Sequence, residues 1–198
     1  MNLINNENTE ERIMAATFKI LQKEGVKKAT TKKIAAEAGV NEITIFRKFK
    51  TKKNLIEIVK EHYMKIFIDK IENIFDFSED EEIDNYLTSN FNELLNLTDE
   101  DFSVMKIAME EVQPIPEKKR ILSRVSDVIL NKLEEFFKLQ KEKGEIKKEI
   151  NPRMLSIMCL SITFQSVALW KVYDKDTADE LEAYKDEFLN MLYNGILA

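Results

Sequence analysis

Apolar residues recur at three- and four-residue intervals along most of the chain, the spacing that lines one face of a helix. Ile13, Ala16 and Ile20, with Met14, Phe18 and Leu21 beside them, predict a first helix that stops at Gly25. Asn8-Thr9-Glu10-Glu11 supplies its start, a cap followed by an acid in the first turn. Thr30 or Thr31 caps a second helix through Ala38, Gly39 breaks it, and Asn41 caps a short third helix to about Lys48. Thr51 opens a long fourth helix toward Phe75, with Leu55, Val59, Ile66 and Phe67 facing inward. Further helices are expected at 79–97, 99–111, 117–143, 152–173 and 177–194, with breaks at Pro114 and Pro116, at Gly144 and at Asn151-Pro152. The pattern predicts an all-α chain of about nine helices, the first three a small head spanning 1–54 and the rest a body spanning 55–198.

Composition agrees. Four Gly and three Pro in 198 residues leave little punctuation for hairpins, and 44% apolar residues suffice for a core. A lone Cys159 excludes an intrachain disulfide and a cysteine zinc cluster and fits a reducing cytoplasm. Nothing at the start reads as a secretory leader. Met154–Trp170 carries no charge but is interrupted by Ser156, Ser161, Thr163, Gln165 and Ser166, so a helix buried in protein on nearly all sides fits better than a membrane span.

Charge divides the chain. Met1–Asn54 holds 12 Lys/Arg against 6 Asp/Glu, a balance of +6, whereas Leu55–Ala198 stands at −12. Charge alone fits a solvated lysine surface as well as it fits a polyanion partner. The segment Thr30–Leu55 adds geometry. Two crossing helices need a small contact residue and a tight turn, which Ala35 and Gly39 provide four positions apart. Ile34, Ala38, Val40, Ile45 and Phe49 form a miniature core, leaving Glu42, Thr44, Arg47 and Lys48 outward on the third helix, where a helix-turn-helix reads base edges. Lys32 and Lys33 open the second helix, and Lys52 and Lys53 open the fourth. Cations there oppose the helix dipole by roughly 0.3–1 kcal/mol each. A DNA phosphate docked at each start turns that opposition into attraction.

The pattern Arg12-Ile13, Ala15-Ala16, Phe18, Gly25, Thr30-Thr31, Ile34-Ala35, Ala38-Gly39-Val40, Thr44-Ile45-Phe46, Phe49-Lys50-Thr51-Lys52 and Leu55 resembles the TetR family of bacterial transcriptional regulators over residues 9–56. The resemblance implies a homodimer on a palindromic operator, usually a repressor released by a small-molecule effector. It implies phosphate contacts for Thr31, Lys48 and Lys52, and a phosphate or base contact for Lys32. Thr44 and Arg47 would approach bases, and Phe46 would pack on backbone or base. Asn41 stands where Ser is common and still caps a helix. Glu42 could accept from a cytosine amine or merely exclude unwanted sites. Ile43 stands where a small residue is common, which leaves its direction, toward groove or core, open.

The resemblance also assigns helices four to eight to a ligand cavity. Phe91, Met105, Met109, Met158, Phe164 and Trp170 could line it, with His62 and Gln165 as polar contacts, although ordinary core packing accounts for the same residues. The last two helices are expected to pair two chains as a four-helix bundle. Leu160 and Val167 would contribute from the uncharged helix, and Leu181, Tyr184, Phe188 and Leu192 from the terminal stripe. Neither a metal nor a cofactor is expected: His62 lacks partners at ligand spacing, and no phosphate loop or nucleophile motif offers footing for catalysis. A cytoplasmic DNA-binding regulator is the leading expectation. A helical interaction protein whose basic head binds an acidic partner protein is the alternative.

Overall fold

Side-chain caps set the helix starts where the polar punctuation falls. The computed structural model describes residues 4–109, 121–173 and 175–196. Within them the chain forms α1 (Ile4–Lys28), α2 (Thr31–Ala38), α3 (Glu42–Phe49), α4 (Lys52–Ile74), α5 (Ile83–Leu95), α6 (Asp99–Met109), α7 (Ile121–Lys143), α8 (Pro152–Val167) and α9 (Ala178–Ile196), with a π-helical turn at Ala168–Val172 extending α8. The fold is all-α. Thr30 Oγ1 accepts from the Lys33 amide, Asn41 Oδ1 from the Ile43 amide and Thr51 Oγ1 from the Asn54 amide, so α2, α3 and α4 each begin on a cap. Thr98 with Asp101, and Thr177 with Glu180, form reciprocal boxes at the starts of α6 and α9.

Two starts depart from expectation. α1 begins at Ile4, one turn ahead of the expected cap at Asn8, and Gly25 (φ 76°) kinks it near its end instead of closing it. α5 begins at Ile83 and not near Glu79, because α7 holds the preceding loop: Gln140 Nε2 donates to the Glu81 carbonyl at 2.8 Å, and Lys143 Nζ donates to the Glu79 carbonyl. Such long-range bonds compete with a helical start that acidic residues alone would favour. The breaks expected at Pro114 and Pro116 lie outside the described residues.

The chain divides into two compact units, residues 4–67 with 103–109 and residues 68–102 with 121–196. The core of the first is Ile13, Phe18, Leu21, Ile34, Ala35, Ile45, Phe49, Leu55 and Val59, with the Phe18 and Tyr63 rings stacked at 3.6 Å. Ile66 is 51% exposed, so α4 turns only Leu55, Val59 and Phe67 of the expected four inward. The second unit is built on an aromatic cluster of Phe77, Tyr86 and Phe136, whose ring centroids lie 3.8–5.8 Å apart. α7 packs along α8, and α5 packs on α9.

α8 corrects a further expectation. It was expected to be buried on nearly all sides, yet only 28% of its most apolar stretch is buried. Leu155, Ser156 and Cys159 face inward, whereas Met154, Ile157, Met158, Ile162 and Phe164 stay 37–56% exposed. By length and composition alone, Pro152–Lys171 is long and apolar enough to cross a membrane.

Candidate nucleic-acid interface

Gly39 sets the angle between α2 and α3. Its φ of 63° and ψ of 40° lie in the left-handed region, and its amide closes α2 onto the Ala36 carbonyl. An added Cβ would lie 3.0 Å from the Arg12 guanidinium. That guanidinium donates to the carbonyls of Ala38 (2.6 Å) and Gly39 (3.3 Å). A cation at the end of α2 satisfies its last acceptors and complements its dipole, so Arg12 fixes the turn from α1. The periodicity of α1 places Arg12 on the surface and carries no sign of this role; only its distant partners reveal it.

A strained link joins α3 to α4. Lys50 takes φ 66° and ψ −52°, and the Thr51 amide donates to the Phe49 carbonyl across it at 2.8 Å. This is a γ-turn of the rare, strained hand, occupied by a side chain that disfavours it. Asn54 Nδ2 donates to the same Phe49 carbonyl at 2.9 Å and supports the turn. Lys52 is thereby held at the first position of α4, three residues beyond the buried Phe49.

Ile45 and Phe49 bury the inner face of α3, while Ile43, Phe46, Arg47 and Lys50 are exposed and Thr44 is half-buried. No acid stands in the first turn of α2 or α4, in contrast to the three that open α6 and the two that open α9. Lys32, Lys52 and Lys53 have no ion-pair partner among the described residues. Lys33 is different: its ammonium holds Glu24 of α1. One of the four dipole-opposing lysines is therefore engaged within the chain.

Acids engage other donors of the head. Lys48 Nζ lies 2.8 Å from Glu10 and its side chain is only 7% exposed, so it ties α3 to α1 and is not displayed as an open phosphate grip. Thr31 Oγ1 donates to Glu42 Oε1, joining the first residue of α2 to the first of α3. Lys19 pairs with Glu37 and holds that carboxyl below the usual carboxylate range. Asn41 is exposed, with its Oδ1 on the Ile43 amide. Thr31, Lys32 and Lys52 thus stand at the starts of α2 and α4, Asn41 and Glu42 at the start of α3, and Thr44, Phe46 and Arg47 further along α3. Such a surface can set ammonium groups and amides against a phosphate backbone while one short helix meets base edges.

The expected ligand residues that the structure describes stand in different settings. His62 is exposed, with its ring edge-on to Tyr63 at 5.2 Å, and Phe91 is core. Met158, Phe164 and Gln165 lie on the open side of α8, and Trp170 is half-buried beneath the Lys171 ammonium at 4.0 Å. The side chains of Met105 and Met109 lie outside the described residues. A cleft of about 370 Å³ instead sits between the end of α4 and α5, lined by Lys70, Asn73, Asp76, Glu81, Asn90 and Glu93 among others. Asn90 is 5% exposed, and its Nδ2 has no hydrogen-bond partner among the described residues. Tyr86, also on the cleft, donates to the Phe75 carbonyl at 2.9 Å, and burial pushes its phenol pKa up. Periodicity could not find this cleft, because loop residues 76–82 form part of it.

The expected pairing residues divide as well. Leu181, Phe188 and Leu192 are buried within their own unit, because that stripe of α9 packs inward. They are not on offer to a second chain. Tyr184 is exposed, Leu160 and Val167 are half-buried, and Met191 and the open side of α8 supply apolar surface that the α9 stripe does not.

Comparisons with known proteins bear on the head's sequence and on the fold. Residues 13–59 match the model of the tetR family of bacterial regulatory proteins. Over 49 residues the chain is 49% identical to YvkB, an uncharacterized HTH-type transcriptional regulator of Bacillus subtilis (strain 168). That match spans 25% of this chain and 26% of the relative, about a quarter of each. Solved structures share the fold along 96–97% of the chain. A TetR transcription regulator of Haloarcula marismortui has a TM-score of 0.70 at 19% identity, covering 97% of this chain and 100% of its own. SmeT, the repressor of the Stenotrophomonas maltophilia multidrug efflux pump SmeDEF, has a TM-score of 0.65 at 16% identity, covering 96% and 93%. A Saccharomonospora viridis protein in complex with choline has a TM-score of 0.74 at 14% identity, covering 96% and 97%.

Proposed function

We propose that this chain, a TetR-family transcriptional regulator, is a cytoplasmic one-component repressor that binds a palindromic operator as a homodimer and leaves it when a small molecule binds. The observation that carries the DNA half is the set of lysines at two helix starts, Lys32 on α2 and Lys52 and Lys53 on α4, flanking an α3 whose outer face presents Arg47. Arg47 can donate bidentately to guanine O6 and N7, and the lysines can hold phosphates.

Pairing is supported by the open apolar side of α8 with Tyr184 and Met191 of α9. A second copy turned by a two-fold axis meets it with an identical surface. The effector half is supported by the cleft beside α5, whose carboxylates and unpartnered Asn90 donor suit a small polar or cationic compound carrying an acceptor. The structural neighbour holding choline shows that one protein of this fold takes a small cation.

Selection from a pool of random duplex DNA tests the reading. The expected result is one inverted repeat bound by two chains, with affinity that falls steeply as salt rises. Enrichment of no sequence, or binding indifferent to salt, would overturn it. A basic head that captures acidic protein in place of DNA is one way that failure would appear.

A further inference from the structure

α3 carries the most exposed large apolar side chain among the described residues. Ile43 is 73% exposed at the second position of the helix, and its neighbour on the same face, Phe46, is 45% exposed. Ile43 adds nothing to the core, which Ile45 and Phe49 supply from the opposite face. It adds nothing to helix formation either, since a branched β-carbon lowers helix propensity. Asn41 Oδ1 accepts from the Ile43 amide at 2.9 Å, so the turn that displays the side chain is fixed before any partner arrives.

What surrounds Ile43 names its partner. Arg47 stands four residues on, one turn along the same face, and Lys32 and Lys52 open the flanking helices. An apolar group on a helix face it shares with Arg47, set into a major groove that admits one helix, has one apolar feature to meet on B-DNA: the C5 methyl of thymine, which projects into that groove. Polar base edges are served by Arg47 and Thr44.

We propose that Ile43 is a specificity-determining residue that reads a thymine methyl in each half-site, beside the base read by Arg47. The inference rests on the regulator reading above. Four residues of helix rise about 6 Å, which places this thymine within about three base pairs of the Arg47 contact. The sequence left the direction of Ile43 open between groove and core; the structure turns it outward.

The test uses the full chain and its selected operator, in which each thymine is replaced in turn by deoxyuridine. That change removes the methyl and keeps the base pair. For the native chain, one position per half-site should weaken binding about fourfold, the worth of one buried methyl-sized group, and the paired substitution more than tenfold. For Ile43→Ala the same substitution should be neutral, while Arg47→Ala should keep its full sensitivity. Ile43→Val, which retains part of the contact, should fall between and guards against a folding defect in the alanine variant. An operator without thymine in that window overturns the proposal, as does an equal uracil penalty in the native chain and Ile43→Ala. If the operator is bound specifically and uracil is tolerated throughout, only the role of Ile43 fails. If selection returns no operator, the regulator reading fails and takes this inference with it.

Discussion

Replacing Met158 by Glu separates pairing from folding, which the buried α9 stripe cannot do. Met158 lies on the open side of α8 with 44% of its surface in water, alongside Met154, Ile157, Ile162 and Phe164. Full burial of a methionine side chain contributes about 1.5–3 kcal/mol, so covering the exposed 44% contributes about 1 kcal/mol. Enclosing a carboxylate in the same place costs a further several kcal/mol unless it is paired. Two-fold symmetry places the substitution twice, and even about 4 kcal/mol in total raises the dissociation constant roughly a thousandfold. Within the single chain the new carboxylate is solvated, so the intrinsic folding free energy of the monomer should change by no more than about half a kcal/mol. Sedimentation velocity at micromolar concentration should show a native dimer and a folded Met158→Glu monomer that binds its operator poorly. Phe188→Asp, by contrast, buries a charge in the unit's own core and should unfold it. A Met158→Glu chain that sediments as the native dimer would place the pairing surface elsewhere.

Arg47→Ala should relax preference at one base pair per half-site by about 1–3 kcal/mol, whereas Lys52→Ala should weaken all sequences alike; competition binding against single-base operator variants checks both. Lys50→Gly should raise the unfolding midpoint by about 2–4 °C, because glycine relieves a γ-turn strained by about 1 kcal/mol or more; a lower midpoint counts against that strain. Cys159, whose thiol burial pushes up to about 12, should resist alkylation in the native chain at pH 8 and react at once in denaturant. Because the unfolded thiol loses its proton near 9.0 and the folded one does not, this group's contribution to stability is complete below pH 9 and lost as pH rises toward 12.

Much of the head was legible because its determinants are local. A cap speaks to an amide two or three residues away, so a cap at Thr30 or Thr31 and those at Asn41 and Thr51 were readable from order alone, as was the left-handed turn at Gly39. What escaped the sequence is carried by partners far along the chain. Arg12 reaches the carbonyls of α2 across 26 residues, and Lys48 finds Glu10 across 38. In the body, periodicity located α8 and α9 but not their orientation. Leu181, Phe188 and Leu192 form a stripe that reads equally well as core or as interface, and only the packing of α5 on α9 decides for core. A helix apolar all round gives no directional signal, so the open side of α8 had to be seen.

The head's net charge of +6 overstates what a phosphate backbone meets, and salt dependence measures the difference. Of the six acids in residues 1–54, Glu10, Glu24 and Glu37 pair with Lys48, Lys33 and Lys19, and Glu42 holds the Thr31 hydroxyl. The lysines left at the two helix starts are Lys32, Lys52 and Lys53, three in each head. Two heads neutralising about six phosphates give a fall of about five log units in affinity per log unit of salt. Were Glu10 and Glu24 to let go so that Lys48 and Lys33 also gripped phosphate, about ten contacts would steepen the slope to about nine. An exposed pair such as Lys33 with Glu24 contributes little to stability and breaks readily, but Lys48 is nearly covered, and freeing it also strips α3 of its tie to α1. With Lys33 released and Lys48 held, about eight contacts give an expected slope near seven, and Glu10→Gln, which frees Lys48, should steepen it toward nine while loosening the head. A native slope near nine would show that binding remodels these pairs, and that the acids of the head act as a latch on α3 that DNA must open.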